Sequence, residues 1–127
     1  MKAITANLIV PSIEDCLPFY VDRLGFEKTV EVPHEDKIGF VILKHHACEL
    51  MLQSRASVAD DIAGVDTAKF LAAIYIAVEA LAPYRKALSD WPPVIPERTT
   101  PYGAREIFVR DPAGNLVGIA SHETESR

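Results

Sequence analysis

The apolar positions of this chain change their spacing from stretch to stretch, and the changes mark out elements. Residues 3–10 are a short apolar run with β-branched side chains, which predicts a strand. Pro11 and Ser12 then open a helix, with Ser12 suited to the N-cap and Asp15 standing where a capping box carries its acid. Leu17, Tyr20, Val21 and Leu24 supply the apolar stripe, and Gly25 is a good stop. Pro18 lies inside this helix with no N–H to give, so a kink or a separate first turn is expected. Residues 26–32, 38–44 and 47–53 predict three successive strands, the last two joined by a tight hairpin at His45 and His46. Residues 54–66 are small, polar and acidic without a useful period, and predict a linker.

The pattern then restarts. Residues 71–78 predict a strand; Leu81, Tyr84, Leu88 and Trp91 mark a helix over 79–90, which Pro92 and Pro93 stop. Residues 94–98, 105–110 and 116–121 predict three more strands. The expected fold is α+β: one compact domain of two β-α-β-β-β modules, residues 1–53 and 67–127, joined by the 54–66 linker. Val10 and Val78 occupy equivalent places. Identity between the halves is slight, so the repeat rests on the order of elements. One helix cannot cover both faces of such a sheet. Two curved sheets side by side, with helices outside, would leave a concave cup able to hold a small molecule.

Composition narrows the function classes. Of 127 residues, 49% are hydrophobic and 24% charged, as in an ordinary globular domain. A net charge of −5, with no basic run, argues against nucleic acid and anionic membranes as partners. No apolar stretch approaches the ~20 residues that span a bilayer. The opening MKAITANLIVPSIED turns acidic and meets a proline too soon for a signal peptide, so a cytoplasmic protein is expected. Cys16 and Cys48 form no CxxC pair and are expected as buried thiols.

The stretch VRDPAGNLVGIA, residues 109–120, reads as a type I turn between two strands, with Asp111, Pro112 and Gly114 at the positions that turn prefers. Gly118 interrupts the second strand, and a strand glycine often marks close approach of a ligand or backbone. Together with residues 10–26 (VPSIEDCLPFYVDRLGF), 48–53 (CELMLQ) and 102–120 (YGAREIFVRDPAGNLVGIA), it carries a resemblance. The FYxxxLGF helix end and the DPxGN turn, in this order and spacing, resemble the vicinal oxygen chelate superfamily of glyoxalases, bleomycin-resistance proteins and extradiol dioxygenases. The likeness covers nearly the whole chain apart from residues 54–66.

That resemblance implies a metal site in the enzymes, with one ligand early in each module's first strand and another near each module's end. Such a site needs several converging His, Glu or Gln side chains with open coordination left over. The matching positions here are Thr5, Glu49, Ala73 and Gly118, of which only Glu49 is a ligand type. The expectation is no metal and no cofactor, and a likeness closest to the bleomycin-resistance-like members, which sequester a compound without chemistry. Tyr102 and Gly103 stand where those members often carry Trp-Gly, and an aromatic there can stack on a planar ligand.

Alternation along the strands assigns faces. If the four matched positions point into the cup, so do Asn7, Ile9, Met51, Gln53 and Tyr75, with Ala77 and Ala120, while Leu8, Leu50, Leu52, Ile76 and Ile119 pack under the helices. His122 shares the parity of Gly118 and could reach the rim; His34, His45 and His46 read as turn residues. Glu49 is a weak catalytic candidate, as a general base or a ligand-orienting group, or else a strand carboxylate facing water or paired with Arg105. Arg105 and Glu106 are expected as a structural charge pair. The leading expectation is a homodimeric, metal-independent protein that binds or sequesters a small aromatic or hydrophobic compound. The alternatives are a lyase, isomerase or dioxygenase-like enzyme with a non-standard site, and a scaffold with a vestigial cup.

Overall fold

A computed structural model describes residues 2–101 and 103–122, leaving out the side chain of Lys69. The chain forms two compact units, one ending at Leu71 and the other beginning at Ala72, each built on a four-stranded mixed sheet. This is the α+β, two-module organisation that the pattern predicts.

The first unit opens with β1 (Asn7–Val10), shorter than the predicted run, although Ala6 O just ahead of it still accepts the Met51 N–H at 2.9 Å. Helix α1 (Ile13–Leu17) follows, and Ser12 Oγ accepts the Asp15 N–H at 3.2 Å, one half of a capping box. Asp15 does not close the box; its neighbour Glu14 accepts the Ile38 N–H at 2.9 Å and ties α1 to the next hairpin. Pro18 has its effect at once: the turns from Pro18 to Arg23 widen to π geometry, with the Leu24 N–H reaching back five residues to Phe19 O at 3.1 Å. Gly25, at φ +86°, lets the chain leave, and Phe26 N–H closes on Tyr20 O at 3.0 Å. The widened turn puts Phe19 and Tyr20 edge to face in the core, ring centroids 4.9 Å apart.

Strands β2 (Glu27–His34), β3 (Lys37–His45) and β4 (Cys48–Ser54) complete a sheet of order β1-β4-β3-β2, with β1 parallel to β4 and the other pairs antiparallel. Leu8, Val10, Val41, Leu43, Leu50 and Leu52 are buried on one face, and α1 lies against β3 and β4. Cys16 is buried as expected, but Cys48 is exposed: it pairs with His45 beside the hairpin turn, at the open end of the sheet. Residues 54–66 also differ from a linker. Ser54 ends β4 and caps α2 (Arg55–Asp61) by accepting the Ser57 N–H at 3.1 Å, and Val58 anchors that helix in the core.

The second unit repeats the order with β5 (Ala73–Ala77), α3 (Ala82–Ala87), β6 (Pro93–Thr99), β7 (Arg105–Arg110) and β8 (Leu116–Ser121). Its sheet runs β5-β8-β7-β6, with β5 parallel to β8. The last two strands have the predicted bounds. Helix α3 is shorter than predicted: it starts only at the turn holding Pro83 and ends with Leu88 as C-cap. Leu81, Leu88, Val109, Val117 and Ile119 are buried. The DPAGN turn forms as expected, Gly114 N–H reaching Asp111 O at 3.0 Å. Asp111 Oδ1 also accepts the N–H groups of Ala113 and Asn115, at 2.9 and 2.8 Å. Among the described residues, no helix is long and apolar enough to cross a membrane.

Candidate functional site

In the first unit the register places several sequence candidates on one face. Asn7, Met51, Ile42 and Val30 form one row across four strands, and Ile9, Gln53, Phe40 and Val32 the next. Asn7 Nδ2 donates to Gln53 Oε1 at 3.0 Å, and Gln53 Nε2 donates on to Ser57 Oγ at 3.0 Å. The two amides are thus committed to one another and to α2, which leaves this face mostly apolar. Thr5 lies before β1, half-buried and outside the sheet. Glu49 sits opposite Lys44 near the hairpin end and is exposed.

The second unit holds the more developed arrangement. Tyr75 pairs with Gly118 and Gly118 with Phe108, so the glycine stands between two aromatic positions in one row. The next row is Ala77, Ala120 and Glu106. A Cβ at Gly118 would come within 2.7 Å of Phe108 Cε1 and 3.0 Å of Tyr75 Cδ1. Gly118 is therefore no opening for a ligand: the two rings, with centroids 6.4 Å apart, have closed over it. The position matched to a metal ligand, which the sequence shows only as a strand glycine that could mark close approach, underlies an aromatic surface that exists because the glycine lies beneath it.

Glu106, only 2% exposed, is held by this surface. The Tyr75 hydroxyl donates to Glu106 Oε2, and Arg98 Nε donates to Oε1 at 2.9 Å. The Tyr75 hydrogen bond, then the Arg98 guanidinium and the more distant His122, outweigh burial and hold the Glu106 carboxyl below the usual glutamate range. A carboxylate stabilised in this way is ionised and weakly basic, a poor general base and a good anchor. His122 is exposed just beyond β8 and acts on the cluster through its charge. Arg105 does not pair with Glu106, against expectation. Successive residues of a strand face opposite ways, and Arg105 instead donates to Glu97 Oε2 at 2.7 Å, where Arg85 from α3 also binds. Tyr102 lies outside the described residues.

The four positions matched to a metal centre do not fit one. Gly118 and Ala73 offer no donor, Thr5 is off the sheet, and rings fill the space a Gly118 side chain would need. Among the described residues no three His, Cys, Asp or Glu side chains gather closely enough to hold an ion. What the Tyr75 face can do is present flat apolar surface beside an anchored guanidinium.

Sequence reasoning missed Glu106, Arg98 and Phe108 as a unit. The signal available was a glutamate and a phenylalanine of one parity in β7, facing Ala120 and Gly118 across an antiparallel pair. Arg98 carried no such signal, because β6 slips register between Ile95 and Arg98.

The family model described as Glyoxalase/Bleomycin resistance protein/Dioxygenase superfamily matches residues 3–119. No curated protein matches the chain. Similar solved structures include TioX from Micromonospora sp. ML1, at 17% identity over 97% of this chain and 100% of that one, TM-score 0.77. Lactoylglutathione lyase from Agrobacterium tumefaciens is 18% identical over 95% of this chain and 94% of the other, TM-score 0.76. A superfamily member from Sphaerobacter thermophilus DSM 20745 is 22% identical over 95% and 97%, TM-score 0.73. At these identities the likeness is one of fold.

Proposed function

This chain belongs to the glyoxalase/bleomycin resistance protein/dioxygenase superfamily, and from that premise we propose that it binds or sequesters a small organic compound without a resident metal. The observation that carries the reading is the row Tyr75–Gly118–Phe108, where the position matched to a metal-binding glutamate has become the floor of an aromatic surface. Tyr75 is 51% exposed although its hydroxyl is anchored on buried Glu106, so the ring is held in place and still reachable. Rigid aromatic surface with few polar groups suits a planar, mostly apolar ligand. The reading takes Tyr75 and Phe108 as the contact surface, with Gly118 beneath them. Asn7, Ile9, Met51 and Gln53 form a second, mainly apolar surface, and Glu49 has no catalytic role. It also takes the protein as a cytoplasmic homodimer. The absence of a disulfide at Cys16 and Cys48 supports the compartment, and the half-exposed Val30 and Val32 on edge strand β2 support self-association.

Two measurements on the purified chain test the reading. Metal analysis after dialysis is expected to find no stoichiometric transition metal, and a retained equivalent would overturn the metal-free reading. Thermal shifts against a panel of aromatic drugs and metabolites are expected to show saturable stabilisation by some planar members. A panel without effect would leave the binder reading without support, and turnover of any member would replace it with the enzyme alternative.

A further inference from the structure

One cation on the Tyr75 face uses only part of its hydrogen-bonding capacity. Arg98 gives Nε to Glu106 Oε1, and its guanidinium carbon stands 5.3 Å from the centroid of the Phe108 ring. Its terminal nitrogens make no hydrogen bond among the described residues, and its side chain is 55% exposed. An ion pair to a buried carboxylate and a ring contact together fix the guanidinium plane. A group already held in this way loses little further freedom when something docks on its outer edge. That edge presents two N–H groups side by side, the geometry that a carboxylate accepts with both oxygens.

We propose that Arg98 is the anion subsite of the small-molecule site and that its ligand is a planar aromatic monocarboxylate, ring against Tyr75 and carboxylate on the terminal nitrogens of Arg98. The inference rests on the binder reading and adds the ligand's charge and shape to it. Glu106 is the positioning residue: one carboxylate oxygen holds Arg98 and the other holds the Tyr75 hydroxyl, so the anion subsite and the aryl surface share one anchor. The same anchor selects a single charge. Glu106 already offsets Arg98, and a dianion such as a phosphate monoester would meet that carboxylate with one guanidinium between them.

Calorimetric titration of the full chain with 2-naphthoate, 2-naphthamide and 2-naphthyl phosphate tests this. Naphthoate is expected to bind about tenfold more tightly than the uncharged amide, the scale of one charge-assisted hydrogen-bonded contact. Arg98→Gln is expected to bring naphthoate down to about the level of naphthamide and to weaken naphthamide much less. Lys86→Gln, which removes an equal charge from α3, is expected to change neither. If Arg98→Gln melts without cooperativity, Arg98→Lys keeps the charge, loses the two-pronged edge, and should fall between wild type and the amide level. Equal binding of naphthoate and naphthamide, or a preference for naphthoate that survives loss of Arg98, overturns the anion subsite and leaves the binder reading standing. Tighter binding of the phosphate overturns the carboxylate class. Binding of none of the three overturns the inference, and the wider thermal-shift panel decides separately whether the protein binds anything.

Discussion

Gly118 shows how little a residue says until its neighbours are known. The sequence marks it as an oddity in a strand; the register makes it the floor beneath Tyr75 and Phe108. An added methyl would press on two rings that also hold each other and Arg98. Gly118→Ala is therefore expected to lose about 1–3 kcal/mol of stability through overpacking, and Phe108→Leu in the same chain should restore part of it; urea midpoints of the wild type and both variants check this. Glu106 makes a prediction in pH. Its carboxyl is held below the ordinary glutamate value, so its contribution to stability is present above that value and disappears as pH falls through the lowered folded one. At neutral pH Glu106→Gln is expected to cost about 1–3 kcal/mol through loss of charge-assisted hydrogen bonds. The gap to wild type should begin to narrow as pH falls below the ordinary glutamate value and close as it passes through the lowered one. A gap independent of pH would contradict the ionised anchor. In the sequence Gly118 shows only as an interruption and Glu106 only as a residue of Phe108's parity, because pairing partners are set by register, and a register shift next to Arg98 hides the third member of the cluster from alternation.

Elements bounded by strong local chemistry were read well. Strands β7 and β8 have the predicted ends because Asp111, Gly114 and Asn115 fix the turn between them through side chain to backbone bonds. Helix α2 escaped notice because seven residues hold too little period to see, and its cap, Ser54, is also the last residue of a strand. The π turn after Pro18 could be foreseen as a disturbance but not in its form. The DPAGN turn also reaches across the unit: Asn115 donates to Asp111 Oδ2 at 2.9 Å and accepts the Ala72 N–H at 2.8 Å, at the entry to β5. Asn115→Ala removes the bond to buried Asp111 together with the one to the Ala72 N–H and is expected to cost about 1–3 kcal/mol. Hydrogen exchange should show the loss concentrated at β5 and β8, and a uniform change across the chain would contradict this link.

For the molecule as a whole, the order of elements was the most legible feature, since a strand–helix–three-strand pattern stated twice needs only alternation and breakers to be seen. Superfamily membership follows from motifs spread over that pattern. The proposed homodimer belongs to this scale. Sedimentation at micromolar concentration is expected to give twice the mass of the chain, and Val30→Lys with Val32→Lys on the exposed side of β2 should shift it to the monomer; a monomeric wild type would sink the proposal.

The parallel pairing of β1 with β4 and of β5 with β8 also orders the way the chain acquires its structure. In each unit the later strands meet through short hairpins, which form early, whereas the first strand must wait for the fourth across the whole length of the unit. During synthesis the first unit has all its strands once Ser54 has emerged. The second keeps β5 without its neighbour until Leu116–Ser121 leaves the ribosome, so within that unit's sheet the aromatic surface over Gly118 is assembled after the hairpins are in place.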